Sequence, residues 1–304
     1  MNPFAEQRAL ASGQGWVHLD DRAVVRVTGS DRIAWLDSLT SHRILTGAST
    51  QALILDPHGH VQYDLHVVDR NNETWLIVAG ETSRDLVAYL DSMRFLMDVA
   101  VEATDEPVFW VPVREVVAEH PTWLIPAEFA GMGQTESGAD RGGSAQKYVP
   151  QRPSAFVGAE VIGWHPDGPQ FSRWAYDALR IAAGMPDVAT DIDAKSLPHE
   201  LGLIGPAVHL AKGCYRGQET VARLHNMGRP PRRLVLAHFD GALPDAGADV
   251  LRGDRVVGRV GSVAHHFDLG PIGLAVIKRS VPVDEQLVAD GIAVSQEEIV
   301  SAAL

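Results

Sequence analysis

The sequence predicts a mixed α and β chain, an α+β or α/β layer, that ends in a small all-β barrel. Three observations carry this expectation. The first 110 residues alternate short β-branched runs with stretches of helix-spaced apolar residues. One strong helical stripe spans 172–183. Beyond about residue 234, RLVLAHF, DRVVGRVGSVAHH and GPIGLAVIKR are short strands split by Gly, Pro and Asp, the pattern of a small barrel.

The elements follow in order. AVVRVT at 23–28 reads as a strand, Gly29 and Ser30 as a turn and helix cap, and 31–39 as a helix with Ile33, Leu36 and Leu39 inward. A strand at 51–56 turns through 57–60 into a second at 61–69. In that second strand Val61, Tyr63, Leu65 and Val67 share one face, and Gln62, Asp64 and His66 share the other. TWLIVA at 74–79 is a strand. A helix over 83–94 directs Leu86, Leu90 and Met93 inward, with Thr82 or Ser83 as its cap. Strands are expected at 99–103 and 108–113. The Gly- and Ser-rich run at 130–144 is a loop, mobile over about 130–148. In the helix at 172–183, Ser172 caps, Trp174, Ala178 and Ile181 form the stripe, and Gly184 ends it. A domain boundary near Arg233 leaves 1–233 as one region and 234–304 as the barrel.

Composition narrows the function. The 304 residues are 45% hydrophobic and 21% charged, ordinary for a globular protein. The single cysteine, Cys214, excludes an intramolecular disulfide and any site needing two thiolates. A net charge of −13 repels phosphate backbones, so direct nucleic-acid binding is disfavoured. The opening residues lack a basic stretch before an apolar core, and no run approaches the roughly 18 apolar residues of a membrane span. A cytoplasmic protein is expected.

Chemistry concentrates at 212–233, KGCYRGQETVARLHNMGRPPRR. Lys212, Arg216, Arg223, Arg229, Arg232 and Arg233 stand there against one acid, Glu219, a candidate anion site on an acidic background. Residues 218–226 suit a helix, so Cys214 precedes its start between Lys212 and Arg216, and both features favour a thiolate. An unpaired cysteine is also commonly a small, inert buried residue. Asp64 is a second candidate, able to act as acid or base if its strand face meets a cavity and bland if that face meets solvent. Glu200, in LPHE after an Asp-rich loop, is a third, able to read a heterocycle by accepting two hydrogen bonds. His58 and His60 in a turn, and the adjacent His265 and His266, do not make the helical pair that a metal prefers. No phosphate loop or Gly-x-Ser-x-Gly elbow is present.

KGCYRGQE, with TVARLHNMGRPPRR behind it, resembles the signature of the folate-binding YgfZ-type proteins. These are relatives of the glycine-cleavage T-protein (aminomethyltransferase), and their mitochondrial counterparts help mature iron–sulfur proteins. The similarity extends to VVRVTGSDRIAWLDSLTSHRI, QALILDPHGHVQYDLHVVD, LRIAAGMPDVATDIDAKSLPHELGL and the last 70 residues. The resemblance implies an α+β aminomethyltransferase-like fold: three subdomains around a central cavity that binds tetrahydrofolate or a one-carbon derivative, ending in a β-barrel. It gives Asp64 the place of the T-protein acid near the folate's reactive nitrogens, and Glu200 that of the carboxylate reading the pterin. Lys212, Gly213, Cys214, Tyr215, Gly217, Gln218 and Glu219 carry the YgfZ-type motif.

The implied function is a monomeric tetrahydrofolate-binding accessory protein. It supports iron–sulfur enzyme assembly or repair, tRNA thiomethylation included, with folate and iron–sulfur client proteins as partners. Cys214 and Asp64 are the candidate catalytic groups. Asp64, Glu200, Lys212, Tyr215 and Arg223 are the candidate cofactor-binding residues, with no metal. The alternatives are a folate-dependent aminomethyltransferase using Asp64, and a tRNA- or protein-binding module using the arginines of 223–233 without chemistry.

Overall fold

The computed structural model describes residues 2–113, 117, 119–129 and 156–302; the loop expected over 130–148 lies outside them. The chain begins with α1 (Pro3–Ala11), β1 (Trp16–His18), β2 (Arg22–Thr28), α2 (Arg32–Leu39), β3 (Ser49–Leu55), β4 (Val61–Arg70) and β5 (Glu73–Ala79). It continues with α3 (Ser83–Ser92), β6 (Ala100–Thr104), β7 (Val108–Val111), β8 (Thr122–Leu124), β9 (Ala159–Ile162), β10 (Gln170–Phe171), α4 (Arg173–Ala182) and α5 (Val188–Asp191). The last third holds α6 (Gln218–Met227), β11 (Arg232–Phe239), β12 (Asp249–Arg252), β13 (Arg255–His266), β14 (Gly270–Lys278), β15 (Leu287–Ala289) and β16 (Ile292–Glu298).

These strands make two open sheets, β3-β4-β5-β2-β6 and β10-β1-β7-β9-β8, and a closed barrel, β11-β14-β13-β12-β15-β16. One apolar cluster joins all three. Leu53, Leu55, Val68 and Ile77 of the first sheet meet Val17, Trp110, Trp123 and Ile162 of the second, with Ala175 and Tyr176 of α4. The barrel adds Leu234, Leu236, Ile272 and Leu274 from its outer face. The opposite face of the first sheet packs on α2 and α3 through Trp35, Leu36, Leu65, Val67, Leu86 and Leu90. Burial on both faces explains why these strands are so apolar.

The sequence pattern departs from the structure at four places. In β4 the register shifts opposite Ile54 and Leu55, pairing Ile54 with Tyr63 but Leu55 with Val61. This bulge moves Val61 out of the Leu65–Val67 face and into the central cluster. Ser30 caps no helix, because its backbone N–H and hydroxyl both donate to the Asp98 carboxylate. At α3, Thr82 and Ser83 turn their hydroxyls back to the carbonyls of Ala79 and Gly80 instead of capping. In α4, Ser172 caps as expected, but Trp174 leaves the buried stripe and packs at its rim against Phe4 of α1, with ring centroids 5.9 Å apart.

Candidate functional site

The polar face of β4 looks inward, toward the second sheet. β3 and β4 pair so that Gln51 lies opposite His66, and Leu53 opposite Asp64. These side chains therefore share the face that carries Leu53 and Val68 into the central cluster. His66 is buried, lies flat on Trp123 of β8 with ring centroids 3.6 Å apart, and meets Glu160 of β9 at 2.7 Å. Arg22 of β2 closes the same layer by a 2.5 Å pair with Asp187, just before α5. Burial alone would raise the Asp187 carboxyl; Arg22, Arg180 and Arg173 overcome it and hold that carboxyl well below the usual range.

Asp64 is partly buried, and its carboxylate accepts from the Gln51 side-chain nitrogen at 3.0 and 2.8 Å. Burial pushes its carboxyl above the usual carboxylate range, with His66, Gln51 and Arg22 pulling the other way. Directly at Asp64 the space, bounded by Arg22, His66 and Asp187, is about 10 Å³, room for roughly one water. Gln51 also lines a second cavity of about 700 Å³, shared with His42, Thr50, Arg70, His120 and Glu128. That volume is in the range of a small-molecule site. Gln51 itself is 2% exposed, and its Oε1 has no hydrogen-bond partner among the described residues.

Glu200 does not stand open beside Asp64. It is fully buried, accepts from the Leu197 backbone N–H, and gives both its oxygens to Arg232 at the start of β11. The sequence reading left this acid free because Arg232 is thirty-two residues away in the chain. The cationic segment is likewise partly internal. Lys212 is buried and donates to the Thr40 carbonyl at 2.6 Å and to that of Asp37. Burial lowers its ammonium below the ordinary lysine range, with Asp37 opposing. Arg233 is buried against Gln296 at 2.5 Å. Arg216, Arg223 and Arg229 remain exposed, so the candidate anion surface is half the size the sequence suggested, and Lys212 is a structural tie instead of an open cofactor ligand.

Around those ties the motif forms a fixed loop. Gly217 caps α6 in the left-handed region at φ +81°, and a Cβ there would stand 2.5 Å from the Asp56 carbonyl oxygen. The motif is thereby pressed onto the β3–β4 turn. Gln218 donates to the Lys212 carbonyl at 2.9 Å, closing the loop. Tyr215 is buried with its phenol pushed up to about 12 by burial, and the Lys212 ammonium lies 5.6 Å from its ring centre. Cys214 is exposed at the tip, three residues before the cap, and Glu219 is exposed on the first turn. Gly213 has open space around its Cα. No group of three His, Cys, Asp or Glu side chains able to hold a metal occurs among the described residues.

Sequence reasoning missed Gln51, Trp123 and Glu160. Gln51 carried a usable signal, since it is the polar residue directly before the apolar run ALIL, at the third position of β3. Trp123 and Glu160 carried none, because only the meeting of two sheets brings them to His66.

Comparisons place this geometry among known proteins. Residues 232–298 match the C-terminal β-barrel domain of CAF17. The human mitochondrial iron–sulfur cluster assembly factor IBA57 is 26% identical over 292 residues, covering 88% of this chain and 78% of that protein. The tRNA-modifying protein YgfZ of Yersinia enterocolitica is 25% identical over 267 residues, covering 82% and 79%. The crystal structure of aminomethyltransferase T of the glycine cleavage system from Bartonella henselae superposes with a TM-score of 0.68 at 14% identity, over 98% of this chain and 88% of that one. That likeness is one of fold: mixed α and β with a six-stranded C-terminal barrel. No helix among the described residues is long and apolar enough to cross a membrane.

Proposed function

For a chain that resembles the YgfZ and IBA57 proteins along most of its length and has the aminomethyltransferase T fold, we propose the role of a tetrahydrofolate-binding accessory protein for iron–sulfur enzymes, working in the cytoplasm. The observation that carries the folate part is a cavity of about 700 Å³ lined by Thr50, Gln51 and Arg70, beside the buried Asp64–Gln51 pair. A pterin ring has the size to fill that space. When bound, a reduced folate supplies a carrier for a one-carbon unit. Thr50 would border the ring side over the Asp64–Gln51 pair, while Arg70 offers a counter-charge for the carboxylated tail.

Cys214 supplies the chemistry outside that cavity. An exposed thiol on a loop pinned by Gly217, Gln218 and Lys212 can meet a partner protein without unfolding anything. One sulfur offers one ligand to a cluster shared with a client, or one nucleophile toward a one-carbon adduct. The aminomethyltransferase reading draws on the fold and on Asp64.

Two measurements test the proposal. A ligand selective for the native state raises the melting temperature by mass action, so saturating tetrahydrofolate should raise it, and a flat melt would remove the folate part. In cells, Cys214→Ala should lower iron–sulfur enzyme activity. One-carbon transfer that survives Cys214→Ala but is lost in Asp64→Ala would replace the accessory role with a transferase.

A further inference from the structure

Three exposed cations of the 212–233 segment have no acid to face. Lys212 stands 3.7 Å from Asp37, and Arg232 pairs with both Asp193 and Glu200. Arg216, Arg223 and Arg229 are exposed, and none of them forms an ion pair among the described residues. Glu219, exposed four residues before Arg223 on α6, does not pair with it either.

The helix decides where these groups point. Val221 and His225 are its buried positions, so Arg223 and Met227, four residues apart, share the outward face. Met227 is 82% exposed, a flexible apolar side chain left in water between two arginines. Arg and Met are enriched at protein interfaces, where Met adapts to irregular apolar surfaces. The face is also held in place. Gly217, at the helix start, has no room for a Cβ against the Asp56 carbonyl. Exposed Cys214 and Arg216 immediately precede that anchor, so thiol and cations belong to one fixed segment.

Charge narrows the occupant. Arginines without acids favour a partner that brings carboxylates or phosphates. A nucleic acid spreads phosphates over a wide area, and the net charge of −13 repels them beyond these three arginines. A folded protein can present one compact acidic patch, turn the rest of its surface away, and offer Met227 an apolar contact.

We propose that the outward face of α6, Arg223 and Met227 with Arg216 and Arg229 at its ends, is a docking surface for a protein carrying a compact acidic patch around a shallow apolar hollow. This rests on the accessory reading above and names the kind of client that reading requires. Docking there brings the client to the segment that carries Cys214.

Complementation of cells lacking the native gene, read as iron–sulfur enzyme activity, tests this on the full chain. Arg223→Glu sets like charges together and should lower that activity by about five-fold or more. Met227→Asp should lower it too, whereas Arg223→Lys and Met227→Leu should retain it. Arg229→Glu lies beyond the helix and repeats the test should Arg223→Glu fail to fold. Arg255→Glu, an exposed reversal on β13, should behave as wild type. Full activity in Arg229→Glu and Met227→Asp, with activity lost in Cys214→Ala, overturns the docking surface and leaves the accessory reading intact. Full activity in Cys214→Ala as well ends both. Salt-sensitive binding of a tRNA transcript that Arg223→Glu abolishes overturns the protein partner in favour of RNA.

Discussion

Arg232 and Glu200 form a clasp that uses both carboxylate oxygens. The Arg232 backbone N–H and Nε each reach Oε1 at 3.1 Å, and a terminal guanidinium nitrogen reaches Oε2 at 2.8 Å. The Leu234 N–H donates to the Glu200 carbonyl at 2.7 Å, so the first barrel strand is tied to this one residue by side chain and backbone together. Glu200→Ala should therefore destabilise the protein by about 1–3 kcal/mol, the scale of unpairing buried hydrogen-bonding groups, because the partly exposed Arg232 keeps Asp193 as a partner. Urea denaturation measures it. A loss under 1 kcal/mol accompanied by a large loss of folate affinity would return Glu200 to the ligand.

Gly217 offers a separate test of the motif loop. At φ +81°, with the Asp56 carbonyl 2.5 Å from where a Cβ would stand, Gly217→Ala must strain the backbone or push the loop off the β3–β4 turn. We expect a cost of about 1–3 kcal/mol and a changed rate of Cys214 labelling by a thiol reagent. An unchanged rate and stability would mean that the loop holds its place without this contact.

His199 gives the protein an acid-sensitive element. Burial holds its imidazole down to about 3, with His225 and Arg279 adding to the effect. The unfolded chain takes up a proton near the ordinary 6.5 while the folded chain does not. The contribution of this group is therefore complete above about pH 6.5 and is lost as the pH falls from there toward 3, at up to about 1.4 kcal/mol per pH unit. Denaturant midpoints at pH 7 and pH 5 read this directly. The decline should be shallower in His199→Gln, and an equal slope in both proteins would refute the assignment.

Phe95 is strained and unsupported. It follows α3 with φ +48°, in the left-handed region, while its side chain is 84% exposed. Little packing is lost on replacement, so Phe95→Gly should stabilise by about 0.5–1 kcal/mol. A lower melting temperature in that variant would show that the ring has a contact worth keeping.

Much of this architecture was legible in the residues. β2 and β5 follow from short β-branched and apolar runs buried on both faces, and α2, α3 and α4 from apolar residues at helical spacing. The short strands β1, β8 and β10 were invisible, since two or three residues hold no period and exist only by pairing with distant partners. The candidate site divides in the same way. Local motifs flagged Asp64, Glu200 and Cys214, whereas what those groups do depends on Gln51, Arg232 and the inward turn of Lys212, which spacing along the chain does not encode. Val61 shows the limit most simply, because one extra residue in β4 reverses the face that strict alternation assigns to it.

The barrel closes by pairing β11 with β16, strands separated by more than fifty residues, and its outer wall supplies Leu234, Leu236, Ile272 and Leu274 to the apolar cluster shared by both sheets. A chain emerging from the ribosome can pair β3 with β4 and β2 with β5 long before that wall exists. Until the last strand leaves the exit tunnel, the central cluster stays open on one side, and a nascent chain stalled before residue 292 would expose a greasy flank to any chaperone within reach.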